Sequence, residues 1–304
     1  MPCGVADQRE DDDQSKKTGC CAKREQHEHD HAGETEEEHD EHEGEAEGVR
    51  VVMDQRRGEV RGGVDDIGPF QTLRVKLART AYTHTELEGG AVGTVFDNDS
   101  TEGRVELVHQ PLTGFEGAFG LQWSQRDFVA VGAEAFVPGS RSRDIGAFWI
   151  GNRKFGALGL QLGVRHDRNR IDVDDTVAIG ADRDFDTTSG SLSLEWEATE
   201  ALHLALGLDR AQRSPTAEEL YSNGVHVATG SVERGEPGLS PETANRAELG
   251  AHWHVGPLTL RAAVYRVAYD DFIYLARTGE FVDDRPRRPE ATAQHRQPRR
   301  SPAL

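Results

Sequence analysis

Alternation of apolar and polar residues with a period of two is the feature that most limits what this chain can build. In 201–209, Leu202, Leu204, Leu206 and Leu208 fall on one face, and His203, Ala205, Gly207 and Asp209 on the other. Successive side chains of a strand point to opposite sides of a sheet, so this is a strand with one apolar and one polar face. The same pattern recurs in 115–124, 158–165, 191–197 and 248–255, for example Leu192, Leu194 and Trp196 against Ser191, Ser193, Glu195 and Glu197. The connections between such segments discriminate among all-β architectures. Short turns are read near 64–70, 111–114, 153–156, 198–200 and 256–257, and long polar connections near 85–101, 127–143, 167–187 and 210–242. Short and long alternate throughout, which in an up-and-down sheet puts every short turn at one rim and every long loop at the other. A Greek-key sandwich has no reason to do this. Membrane barrels with short periplasmic turns and long extracellular loops do. The expected fold class is all-β: a partial transmembrane antiparallel up-and-down β-barrel of about ten strands.

Composition agrees with a wall that has one wet side. Apolar residues make up 36% of the chain, with 33 glycines and 2 methionines. Half of each strand in such a barrel faces water and needs no apolar residue. The net charge of −19 argues against nucleic acid, which needs a basic face. No stretch approaches the roughly 20 apolar residues of a membrane helix. Residues 1–24 contain no apolar signal-peptide core and are expected to form a disordered leader, an exported protein then starting further upstream. Cys3, Cys20 and Cys21 lie in that leader without zinc-finger spacing and are read as incidental thiols.

Much of the acidity is one segment. Residues 25–47 hold twelve Asp or Glu, five His and no Lys or Arg; without those twelve acids the net charge falls from −19 to −7. His27, His29, His31, His39 and His42 are interleaved with carboxylates, mostly at spacings of two. Imidazole suits zinc, copper and nickel, and adjacent carboxylates add charge and occasional ligands. This spacing permits many ligand sets and enforces none, so the expected behaviour is a loose, fast-exchanging metal collector; the bland alternative is a solvated acidic loop. Counting strands back from the first short turn puts residues 25–48 at the long-loop, extracellular rim. The barrel is expected over 49–284. Residues 285–304 contain six Arg, four Pro and one acid, and are read as a disordered tail, with a frameshift as a plausible origin.

Three runs carry a family resemblance. Residues 213–221 read RSPTAEELY, 235–250 read GEPGLSPETANRAELG, and 265–275 read YRVAYDDFIYL, in that order and among alternating strands. Together they resemble the barrel signature of TonB-dependent outer-membrane receptors, with Arg213, Pro215, Thr216, Glu218, Glu219, Leu220 and Tyr221 as the signature positions. The His/acid segment ahead of GVRVVMDQRRGEVRGG resembles the zinc-uptake subgroup of that family. The resemblance implies a barrel of roughly 22 strands with an N-terminal plug. The chain is therefore expected to be a fragment lacking signal peptide, plug and closing strand. It also implies location in the outer membrane, contact with its lipid, coupling to the TonB complex in the intact receptor only, and zinc or another divalent metal as the transported ligand. His226, in the loop 210–242, becomes a candidate ligand of a more defined extracellular site, against the alternative of an ordinary loop histidine. The signature run is read as architectural rather than gating; Pro215 suits a strand end, because it cannot donate to a ladder. His203, His252 and His254 share the polar face and are read as lumen residues, with stepping sites as the alternative. No nucleophile–base pair, phosphate loop or catalytic carboxylate pair stands out, so an enzyme is not expected. Competing readings are a receptor for a siderophore, haem or cobalamin, and a soluble metal-buffering β protein.

Overall fold

The computed structural model describes residues 50–132, 135–174, 182–226, 231–282 and 290–297. The chain enters a long antiparallel meander: β1 (Arg50–Ile67), β2 (Phe70–Glu88), β3 (Ala91–Leu112), β4 (Phe115–Gly132), β5 (Ser140–Phe155), β6 (Leu158–Val173), β7 (Arg183–Glu197) and β8 (Leu202–Arg213). An excursion follows through α1 (Ala217–Tyr221), β9 (Asn223–His226) and β10 (Ser231–Arg234). The meander resumes with β11 (Glu242–Val255) and β12 (Leu258–Asp270), giving one ten-stranded sheet in which each strand pairs with its neighbour in the meander. The up-and-down order and the strand number are those expected from the turns.

Register confirms the two faces. Leu204, Leu206 and Leu208 stand opposite Trp196, Leu194 and Leu192 on one side, and Leu202 and Leu206 opposite Trp253 and Leu249 on the other. This face is exposed and apolar, with Leu249 at 58%, Trp196 at 51% and Trp253 at 49% of full exposure. A continuous apolar patch of this extent is not left in water. The opposite face is charged and internally paired: Arg165 donates to Asp167 at 2.7 Å, Arg104 to Glu106 at 2.8 Å, and Lys76 lies 3.3 Å from Glu59.

Two expectations change. The long connection read near 85–101 is a hairpin of two long strands joined by Gly89 and Gly90, with φ of 53° and 85°. Positive φ at both central residues is the type I′ geometry that matches strand twist. β3 has 22 residues, where about 9–11 suffice to cross a membrane. Its upper half therefore stands clear of the apolar zone, buries Thr94 and Phe96 on its inner face, the latter against Phe128 and Val137, and loses the alternation that lipid imposes. The other long connections are shorter than read, at 133–139 and 174–182, for the same reason.

The second change concerns the end of the chain. The barrel sheet stops at Asp270, not at 284. β13 (Tyr274–Val282) pairs antiparallel with β14 (Glu290–Arg296), and β14 runs parallel to β10, in a four-stranded sheet ordered β13-β14-β10-β9. Part of the tail expected to be disordered is thus a strand, with Thr292 fully buried and Ala293 at 6% exposure. Its sequence, EATAQHR, holds no proline, so every residue of the strand has an N–H for the ladder.

β1 and β12 are the end strands of the ten-stranded sheet and pair with no further strand among the described residues. Lipid does not tolerate such unpaired edges. The chain alone is therefore expected to give no heat-modifiable band on comparison of boiled and unboiled samples after refolding in detergent. A heat-modifiable, protease-resistant species would overturn this.

Candidate functional site

The excursion between β8 and β11 closes over the charged face at the long-connection rim. It begins where Pro215, fully buried, ends β8. Thr216 then caps α1: its hydroxyl accepts from the Glu219 amide at 3.3 Å, and the Glu219 carboxylate accepts from the Thr216 amide at 2.9 Å. This reciprocal pair satisfies two amide donors that a helix start leaves open. A helix of five residues has no stability of its own, because nucleation is unfavourable and propagation has barely begun. What holds it is tertiary.

Arg213 donates through both terminal nitrogens to Glu219, at 2.8 and 3.1 Å, and lies 3.5 Å from Glu242 of β11. Glu218 reaches across to Arg126 of β4 at 2.8 Å, and Arg126 also donates to Asn98 of β3 at 2.9 Å. Burial pushes the Glu218 carboxyl up, but the Arg126 guanidinium and hydrogen bonds to its ionised form reverse this, leaving it below the usual range. Beneath these polar ties, Leu220 and Tyr221 pack with Ala217, Ile171, Phe185, Leu239 and Ile273. Burial raises the Tyr221 phenol above its ordinary value. Gly235 passes against the backbone of Leu220 and Tyr221, where an added Cβ would sit 2.5 Å from the Leu220 carbonyl oxygen and the Tyr221 amide nitrogen. The signature residues thus build a clamp that joins β8 to β11 and reaches over to β4.

Arg126, Asn98 and Glu242 complete the clamp. Glu242 falls within the run 235–250 that carries the resemblance, whereas Arg126 and Asn98 lie on strands remote from it and no local signal marks them as partners.

The expected metal ligands are not brought together. His27, His29, His31, His39 and His42 lie outside the described residues. His226 is in β9, its Nδ1 2.8 Å from the Glu233 carboxylate and its ring stacked on Phe136 with centroids 4.6 Å apart. Among the described residues no group of three or more His, Cys, Asp or Glu is converged for a metal ion. No helix among them is long and apolar enough to cross a membrane, which does not bear on crossing by strands.

An antiparallel meander with an apolar outer face, a charged inner face, short turns at one rim and a structured cap at the other is a segment of an outer-membrane β-barrel wall. The sequence matches the TonB dependent receptor-like β-barrel family over residues 54–297, and the chain belongs to that family. That match takes in β14, within the tail that the sequence reading set apart. Barrels of this family are outer-membrane proteins, which places the chain there. The fold is similar to that of a double mutant of the Serratia marcescens hemophore receptor HasR, in complex with its hemophore HasA and heme: TM-score 0.67 and 16% identity, over 83% of this chain and 45% of that one. It is similar to the copper transporter OprC (TM-score 0.63, 15% identity, 80% and 41% covered). It is also similar to the ferric enterobactin receptor PfeA of Pseudomonas aeruginosa (TM-score 0.54, 19% identity, 82% and 39% covered). The chain spans less than half the length of these structures.

Proposed function

We propose that the chain is part of a TonB-dependent receptor that takes up a divalent metal, zinc in particular, and that residues 25–47 collect the ion outside the cell. The observation that supports this reading is the rim at which β1 begins. Arg50, where β1 begins, pairs with Leu87 beside the Gly89–Gly90 turn, at the rim that bears the 133–139, 174–182 and 214–241 connections. In barrels of this kind that rim is extracellular. In the sequence, five imidazoles among twelve carboxylates come just ahead of that strand. Weak, exchanging ligation suits a collector, since tight binding would trap the ion before transfer. Energy coupling through TonB belongs to the intact receptor, of which this chain is a wall segment.

A peptide of residues 25–47 tests the collector. Zinc binding needs neutral imidazole, with a reference pKa of about 6.5. Affinity by titration calorimetry is therefore expected to fall as pH drops from about 7.5 to about 5.5, a range over which the carboxylates stay ionised. Replacing His27, His29, His31, His39 and His42 by Asn is expected to remove most of that pH dependence and leave a weak, salt-sensitive attraction. Equal affinity in the Asn peptide would sink the collector. The second reading, a haem or siderophore receptor, draws on the heme complex and ferric enterobactin receptor that share the fold. Labelled-zinc uptake with unlabelled zinc, haem or ferric siderophore as competitor separates the two: only zinc should compete.

A further inference from the structure

Charge on the outward face of the wall comes in a fixed order. Beyond the apolar run, toward the extracellular rim, the charges nearest the lipid are arginines. Arg79, Arg168, Arg210 and Arg266 lie eight to ten residues from the short turns, counted from Phe70, Leu158, Leu202 and Leu258. About 9–11 residues cross a membrane, so these side chains reach the level of the headgroups. Outward-facing acids beyond the apolar run begin at eleven residues, with Asp186 counted from Glu197. Where one strand carries both signs, the arginine is nearer the lipid: Arg56 before Asp54 on β1, Arg168 before Asp172 on β6, Arg266 before Asp270 on β12. Arg168 has Asp184 at 3.8 Å. Arg79, Arg210 and Arg266 are exposed and form no ion pair among the described residues. On the inner face Arg57, Arg104, Arg165 and Arg246 are each held by a carboxylate. At the periplasmic rim the wall itself occupies the outward cation Arg153, which donates to the Thr113 carbonyl at 2.6 Å and lies over the Phe155 ring at 4.4 Å.

We propose that the outer face of β8, β11 and β12 binds an anionic, phosphate-bearing lipid of the outer leaflet. The proposal does not depend on which ligand the receptor imports. Arg210 is its centre. It stands in the middle of the sheet, opposite Gly190 of β7 and Asn245 of β11, and donates to the Asn245 side-chain oxygen at 3.3 Å. No acid on either neighbouring strand is placed to neutralise it. Arg266 stands one strand further on, opposite Ala247. Between the two, small residues hollow the surface into a shallow groove of about 620 Å³, lined mainly from the outer face and floored by Leu192 and Leu208. Asp209, which lines it from within, is held by Arg246 at 3.7 Å. Strands lie about 4.8 Å apart, so two guanidiniums two strands apart reach one phosphate from opposite sides. Their forked donors match phosphate oxygens. The leucines and Ala247 take the adjoining acyl chain. A zwitterionic headgroup carries its own ammonium beside the phosphate and leaves both arginines unbalanced. An anionic one balances them, and so offsets the cost of two cations at the edge of hydrocarbon.

The test uses the intact receptor, purified from the membrane in detergent micelles, with heat-modifiability showing that each variant has a closed barrel. Diphosphoryl lipid A is the probe, titrated and read by native mass spectrometry. Arg210→Gln combined with Arg266→Gln is expected to weaken binding roughly thirtyfold, about fivefold for each arginine at an anionic surface. Arg210→Lys combined with Arg266→Lys keeps both charges and should recover most of it. Arg261→Gln, on the inner face of β12, should leave affinity at the parental value. The unsubstituted receptor supplies a readout that needs no variant: lipid A stripped of both phosphates should bind it about as weakly as the glutamine variant binds the phosphorylated lipid. Equal affinity of the parent for the two lipids, or of the glutamine variant and the parent for the phosphorylated one, would overturn the site. So would a loss in Arg261→Gln as large as in the double variant. Displacement of the lipid by inorganic phosphate at the same concentration would overturn a lipid as the occupant.

Discussion

Arginine in place of Leu206 is expected to cost about 2–4 kcal/mol of folding free energy in lipid, and arginine in place of Ala205, the adjacent residue, far less. Leu206 is flanked on the outer face by Leu194 and Leu249, midway along the apolar run of β8. A guanidinium there faces hydrocarbon and must reach past several residues to find water. Ala205 points inward, opposite Glu195 and Gly250, and lines the water-accessible cavity that holds His203 and His252. A new arginine at that position meets solvent and a carboxylate. Urea titration of the intact receptor carrying each change, in mixed lipid–detergent micelles and followed by tryptophan emission, reads the contrast as a large midpoint shift for Leu206→Arg and a small one for Ala205→Arg. Equal shifts, or the reverse order, would mean that the strand is out of register by one residue, because a slip of one exchanges the two faces along its whole length.

What the sequence disclosed about this wall follows the same logic. Where one face of a strand meets lipid and the other water, the environment writes its period into the residues. Leu202 to Leu208, Leu192 to Trp196 and their turns could therefore be read directly. Above the membrane the outer face meets water while the inner face is partly buried, Phe96 against Phe128 and Ile171 against Phe185, and the period that lipid imposes disappears. The hairpin of β2 and β3 around Gly89 and Gly90 was consequently taken for a loop. β14 was missed for a related reason: seven residues between proline-rich flanks give too short a window, and its partners, β13 and β10, could not be foreseen. The signature run announced itself by residue type, and its capping box is a local pattern, Thr216 to Glu219. The rest of the clamp was invisible, since the Arg126–Glu218 pair joins positions 92 residues apart, taking 218 minus 126. For the histidines, their shared inner face followed from parity, but the direct pairing of His203 with His252 and the ring contacts with each other and with His254 needed coordinates.

The clamp also allows magnitudes to decide which of its contacts matters. Arg213 keeps 45% of its side-chain exposure while paired with Glu219 and Glu242. Ion pairs that solvent reaches contribute about 1 kcal/mol or less. Leu220 is fully buried among Ile171, Phe185, Leu239 and Ile273. Truncating such a leucine to alanine costs about 2–5 kcal/mol, because the cavity left behind collapses only partly. Packing should therefore dominate, and Leu220→Ala should loosen the cap far more than Arg213→Ala. The loss need not unfold the wall. A one-turn helix and two four-residue strands can open while the ten-stranded sheet stays intact. The readout is therefore proteolysis within 214–241, under conditions where cutting tracks the open population. At about 1.4 kcal/mol per decade, the Leu220→Ala rate should rise by roughly one and a half to three and a half decades. Arg213→Ala should raise it by less than one decade. Gly235→Ala should act like Leu220→Ala from the other side, since its added methyl meets backbone atoms of Leu220 and Tyr221 that cannot shift without unwinding α1. Leu208→Ala, on the outer face of β8 opposite Leu192, lies outside the buried cluster under the cap and should leave this cleavage at the parental rate. If Arg213→Ala is cut as fast as Leu220→Ala, the ion pairs hold the cap and the buried cluster is secondary.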